Sequence, residues 1–125
     1  MKSVILTNHA PAAIGPYSQA VRVGEMLFVS GQLGIDPATG DFVSGGVKEQ
    51  TGQVFKNIKA ILEEAGASLE NVAKTTVFLA DMADFVVMNE VYGKEFSAPY
   101  PARSAIAAKT LPKNALVEIE VIACF

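Results

Sequence analysis

Two stretches that read as β-strands lack the alternation that a sheet with one wet face imposes. Along Val72 to Leu79 one parity holds Val72, Lys74, Thr76 and Phe78 while the other holds Ala73, Thr75, Val77 and Leu79. Along Met26 to Ser30 neither parity is polar. Successive side chains of a strand point to opposite faces, so such strands present apolar groups on both. A chain of 125 residues, half of them hydrophobic, has the length for one domain and one core. The second apolar face needs another cover, and identical subunits in a closed symmetric oligomer are the expected one.

The remaining segments supply the layers. Lys2 to Thr7 reads as a short strand, and Ala12 to Tyr17 as a loop of small residues broken at Gly15-Pro16 that presents Tyr17 at its end. Ser18 to Val23, a turn at Gly24-Glu25 and Met26 to Ser30 read as a hairpin, with Gly31 at the end or a kink of its second strand. Val47, Val54, Ile58, Ile61, Leu62 and Ala65 recur at helical spacing, with Ser44 or a near neighbour as the expected cap and Gly66 as the left-handed stop. Asp81 is the expected cap of a second helix reaching about Phe96, whose inward stripe of Phe85, Asn89, Tyr92 and Phe96 sets a carboxamide among aromatics. Pro99 and Pro101 stop that helix, Ala102 to Ala108 is extended, Leu111 to Asn114 turns, and Leu116 to Cys124 is the last strand. The reading is an α+β domain over residues 1–125, a mixed sheet of about six strands with two helices on one face.

Composition removes several classes of function. A net charge of -3 and the absence of a basic run argue against binding a phosphate backbone. One cysteine, Cys124, excludes an internal disulfide, and with a single histidine, His9, the usual metal-ligand sets cannot be assembled from one chain. Cys124 reads as a small core or interface hydrophobe. The amino-terminal apolar run is too short for a signal peptide and no stretch approaches a membrane span, so the expected compartment is cytoplasmic. No nucleophile elbow, phosphate loop or dinucleotide fingerprint is present. Chemistry without cofactor or metal, or simple binding, is what remains.

Five residues with polar groups in apolar settings are the candidates. Arg103 is the sole charged residue between Phe96 and Lys109. It reads either as an ion-pair partner for Glu118 or Glu120, or as a clamp for a carboxylate or phosphate, which a planar guanidinium holds through two parallel hydrogen bonds. Glu118 and Glu120 share one face of an apolar strand, about 6.8 Å apart. Either both face solvent, or one is a general base for water with its acidity set by burial and by Arg103. Asn89 reads as a structural hydrogen-bonding group or as part of a site, and Tyr17 as a packing aromatic or a loop ligand.

Several segments are recognisable together: Ala10 to Ala20 (APAAIGPYSQA), Phe28 to Gln32 (FVSGQ), Val72 to Leu79 (VAKTTVFL), Met88 to Tyr92 (MNEVY), Pro101 to Ser104 (PARS), and Leu111-Pro112-Lys113 through Glu118-Ile119-Glu120. In order and over nearly the whole chain they resemble the RidA (reactive intermediate deaminase), or YjgF, family. That resemblance implies a cytosolic homotrimer with a chorismate mutase-like fold and sites in clefts between subunits. The implied activity is hydrolysis of 2-imino acids such as 2-iminobutyrate, formed from enamines such as 2-aminoacrylate, to 2-keto acids and ammonia. By motif, Arg103 would hold the substrate carboxylate, Glu118 would position water, and Tyr17, Ser30 with Gly31, and Asn89 would shape the pocket. Ala105 stands where relatives commonly have cysteine, so no role for a thiol transfers, while a backbone contact from residue 105 does. Two other readings come with it. One is a small-carboxylate-binding or chaperone-like module without turnover. The other is the endoribonuclease or translation-inhibitor label that relatives have carried, against which the acidic balance argues.

Overall fold

The computed structural model describes residues 1–125. In chain order the elements are β1 (Ser3–Ile5), β2 (Ala20–Val23), β3 (Met26–Leu33), α1 (Val47–Glu64), β4 (Val72–Leu79), α2 (Phe85–Glu95), β5 (Ala102–Ala107) and β6 (Val117–Cys124). One mixed sheet runs β1-β2-β3-β6-β4-β5. Its only parallel pair is β4 with β5, and α2 makes the crossover that a parallel connection needs.

The core lies between the sheet and both helices. Val54, Phe55, Ile58, Ile61 and Leu62 of α1 and Met88 and Tyr92 of α2 cluster with Leu27, Val29, Val77, Leu79, Val117, Ile119 and Val121 from the strands. Each fully buried aliphatic side chain here contributes about 1.5–3 kcal/mol relative to an exposed one. The opposite face shows Met26, Phe28, Phe78, Ile106 and Ile122, the other strand parity, with Phe28 41% and Ile106 52% exposed. The apolar face without helices, expected from the failed alternation, is therefore present. Cys124 sits opposite Met26 on that face and is exposed, so it is no part of this chain's own core.

Local details differ from expectation for definable reasons. The N-cap of α1 is Gly46, the near neighbour of Ser44 rather than Ser44 itself, and the Glu49 carboxylate reaches back to accept the Gly46 N–H at 2.9 Å. At the other end Gly66 adopts φ 80° as expected, and Ala67 N–H closes onto Leu62 O at 2.8 Å. Asp81 caps a separate 3₁₀ turn, Met82–Asp84, and α2 proper begins only at Phe85. Its buried line passes through Met88, Tyr92 and Phe96, leaving Phe85 and Asn89 half-buried at the margin rather than inward. Edge-on packing of Phe55 against Tyr92 and Phe96, with ring centroids 5.8 and 5.7 Å apart, fixes that rotation of the helix. Gly31 does not end β3, which continues to Leu33 through a register shift against β6 between Val29 and Gln32.

Candidate active site

A cleft of about 780 Å³ opens beside β3 and β6, with Tyr17, Ser30, Gly31, Glu118, Glu120 and Lys113 among its lining residues. Its wall is the loop before β2. The buried Gln19 carboxamide accepts Thr7 N–H at 2.8 Å and donates to Thr7 O at 3.0 Å and Pro11 O at 2.9 Å. Ser30 ties the same loop to β3: its hydroxyl donates to Ser18 O at 2.6 Å and its N–H to Gln19 O at 2.9 Å. Tyr17, 56% exposed, is held at the rim by these bonds.

Glu118 fits because Gly31 has no side chain. A Cβ on residue 31 would collide with the Glu118 Oε2 and stand 2.9 Å from its Cδ. The carboxylate has no hydrogen bond or ion pair with another side chain; the one salt bridge, Lys59 to Glu95 at 2.9 Å, lies elsewhere. Partial burial pushes the Glu118 carboxyl above its ordinary range, and the like charge of Glu120 pushes it further. Arg103 of the same chain, weighed from sequence as a second influence on this acidity, takes no part.

Arg103 stands on the other side of the sheet. It is the cross-strand partner of Thr75, whose hydroxyl meets the Tyr92 hydroxyl of α2 at 2.8 Å on the helix side. The Arg103 guanidinium lies 4.6 Å from the Tyr92 ring centroid and 5.3 Å from that of Phe85, and its Nη1 donates to Asn89 Oδ1 at 2.6 Å. Glu118 pairs with Phe78 and projects to the helix-free face. The ion pair weighed from sequence is thus absent within the chain. Ala105, opposite the buried Val77, shares the face of Arg103 and packs against the core.

The seven residues that the resemblance assigns to the site therefore form two groups. Tyr17, Ser30, Gly31 and Glu118 share the cleft, while Arg103, Asn89 and Ala105 lie at the α2–β5 edge on the opposite face. Three contributors escaped that reading: Gln19 as the tie of the cleft wall, Tyr92 beneath the guanidinium, and Lys113 at the rim. Lys113 and Asn114 have φ of 56° and 57°, left-handed backbone that a Pro-Lys-Asn turn signals only weakly. Tyr92 was detectable as the neighbour of Asn89 three residues on, on one helix face.

Fold and site together define a small α+β protein that sets an unpaired carboxylate in a cleft on one face of its sheet and a cushioned guanidinium on the other. A family model described as Endoribonuclease L-PSP matches residues 7–125. A RutC family protein of Pyrococcus abyssi is 57% identical over 98% of this chain and 96% of its own length. The 2-iminobutanoate/2-iminopropanoate deaminase of Homo sapiens is 50% identical over 98% of this chain and 90% of its own. A crystal structure of RidA from an Antarctic Psychrobacter superposes with a TM-score of 0.95, at 52% identity over 98% of this chain and 99% of that one. The chain belongs to the RidA/YjgF family.

Proposed function

We propose that this protein hydrolyses 2-imino acids to 2-keto acids and ammonia, at sites that two copies of the chain complete together. The observation that supports the chemistry best is Glu118, a carboxylate with no counter-ion, half withdrawn from water in a cleft and seated against a glycine. A protonated imine is already electrophilic at C2, so no nucleophilic side chain is required. The protein orients the substrate, places a water about 3 Å from C2 and moves protons. Glu118 takes a proton from the attacking water as oxygen bonds to C2. It returns that proton to nitrogen and takes up the hydroxyl proton in its place. The C–N bond breaks as the carbonyl forms, ammonia leaves, and Glu118 releases its last proton to water. A carboxyl with raised pKa suits both directions of transfer. Ser30 and Tyr17 shape the wall, and a backbone group at residue 105 remains available to substrate.

The substrate carboxylate is assigned to Arg103. Because Arg103 and Glu118 project from opposite faces of one sheet, Arg103, Asn89 and Ala105 of a site come from one protomer and Tyr17, Ser30, Gly31 and Glu118 from its neighbour. A head-to-tail contact whose rotation closes forms a ring, and the homotrimer implied by the family resemblance is such a ring. The exposed apolar face carrying Phe28 and Ile106 supports burial between copies.

A polynucleotide fits the cleft less well. Its charged lining of Glu118, Glu120 and Lys113 is acidic on balance, the wrong sign for a polyphosphate. The direct test couples a serine or threonine dehydratase to this protein and follows keto-acid release. Faster release with the protein present supports the reading, and an unchanged rate contradicts it. Arg103→Ala should lose about 2–5 kcal/mol in kcat/KM, the range for removing one partner of a desolvated charge pair. Wild-type kcat/KM in that variant would remove Arg103 from the site.

A further inference from the structure

Beyond the substrate clamp itself, and resting on the reading of Arg103 as that clamp, we infer that Tyr92 is its positioning residue: the ring is the seat of the guanidinium, and the Thr75 hydroxyl fixes the ring. An arginine at an edge strand of a sheet is ordinarily a mobile group with several rotamers, and a mobile cation binds a carboxylate only after losing that freedom. Arg103 does not stand free. Its guanidinium lies over the Tyr92 ring at 4.6 Å, close enough for attraction between the cation and the ring's negative face. Asn89 Oδ1 accepts from Nη1 at 2.6 Å, which sets rotation about the guanidinium axis. That bond occupies one edge of the fork and leaves other N–H groups for a ligand.

The seat is itself immobile. Tyr92 is 6% exposed and packed against Phe55 and Phe96, with centroids 5.8 and 4.9 Å away. Its hydroxyl meets the Thr75 hydroxyl at 2.8 Å in the buried layer. Thr75 is in turn the register partner of Arg103 across the parallel β4–β5 pair. The chain of contacts closes: Thr75 fixes Tyr92, Tyr92 carries the guanidinium, and the backbone pairing holds Thr75 and Arg103 level. A tyrosine placed only to fill the core would need no cation on its face, and a solvated arginine would need no ring beneath it. Tyr92 touches no substrate; it acts through Arg103.

Steady-state imine hydrolysis, with the substrate generated by a threonine dehydratase, tests this. Since the clamp grips the carboxylate equally before and during reaction, misplacing it should raise KM and spare kcat. Tyr92→Leu is expected to raise KM about tenfold with kcat within about threefold of wild type, and Tyr92→Phe, which keeps the ring but loses the bond to Thr75, to raise KM only about threefold. Should the leucine variant fail to fold, a volume-conserving series decides: phenylalanine at position 92 carrying one, two and three ring fluorines, each of which weakens the negative face. KM rising stepwise with fluorine number supports the seat, because a packing role responds to shape alone. A flat series, or a folded Tyr92→Leu protein with wild-type KM, overturns it. Arg103→Ala in the same assay separates the two claims. If Arg103→Ala loses activity while the Tyr92 series is flat, only the seat fails; if Arg103→Ala is unimpaired, the clamp fails and the seat with it.

Discussion

At the scale of single residues, the chemistry turns on how two neighbouring carboxylates differ. Glu118 and Glu120 point the same way from β6, yet Glu118 is half-buried beside Gly31 while Glu120 is exposed. Glu118→Gln should leave substrate binding intact and reduce kcat by about 10²- to 10⁴-fold, the usual contribution of general base catalysis. An unchanged rate would move the base elsewhere. Glu120 acts on Glu118 through its charge. As the proposed base, Glu118 acts when ionised, so activity is expected to fall as pH falls through its raised pKa. Glu120→Gln removes the like charge, lowers that pKa, and should move the acidic limb of the kcat/KM profile to lower pH. The shift stops short of an ordinary glutamate, because burial is the larger cause and remains. An acidic limb that stays put would disconnect the two. That these carboxylates share a face was legible in the strand parity of Val117 to Cys124. The face taken by Arg103 was not, since Ala102-Arg103-Ser104-Ala105-Ile106-Ala107 shows no contrast between parities. Only the pairing of β5 with β4 decides it.

Elements hold these residues in place through buried polar ties that hydrophobic periodicity does not report. The apolar stripe of α1 was evident from spacing, but Gln50 and Asn57 lie on its buried side too. Asn57 donates to Leu33 O at 3.0 Å and Ile35 O at 2.9 Å, and Gln50 Oε1 accepts Leu116 N–H at 3.0 Å. These bonds tie the helix to the end of β3 and the entry to β6, the two strands that present Gly31 and Glu118. Such close approach needs Gly34, where a Cβ would lie 2.7 Å from the Gln50 Cα. Backbone cannot swing aside as a side-chain tip can, so Gly34→Ala should destabilise by about 1–3 kcal/mol, read from the urea midpoint at constant m-value. A midpoint equal to wild type would mean that α1 has slack against the sheet. The cap of α1 was legible only to within a few residues of Ser44 for a related reason: a glycine cap served by Glu49 three residues later has no side-chain signal at the cap position itself.

For the whole molecule, the proposed site has its two halves on opposite faces of one sheet, and on that proposal assembly is a condition of activity. No helix is long and apolar enough to cross a membrane, so the exposed Phe28 and Ile106 are not part of a helical span. Failed alternation in Val72 to Leu79 and Met26 to Ser30 made that face visible in the sequence, whereas geometry between copies lies beyond what one chain's periodicity encodes. The most direct measurement is complementation. Arg103→Ala and Glu118→Gln chains, each nearly inactive alone at substrate far below the wild-type KM, are unfolded, mixed in equal amounts and refolded together, and imine hydrolysis at that substrate level is compared with wild type treated the same way. If each site takes Arg103 from one protomer and Glu118 from the next, random assembly leaves about one site in four with both residues intact, and about a quarter of wild-type activity returns. A mixture no more active than its two components would contradict a site shared between protomers.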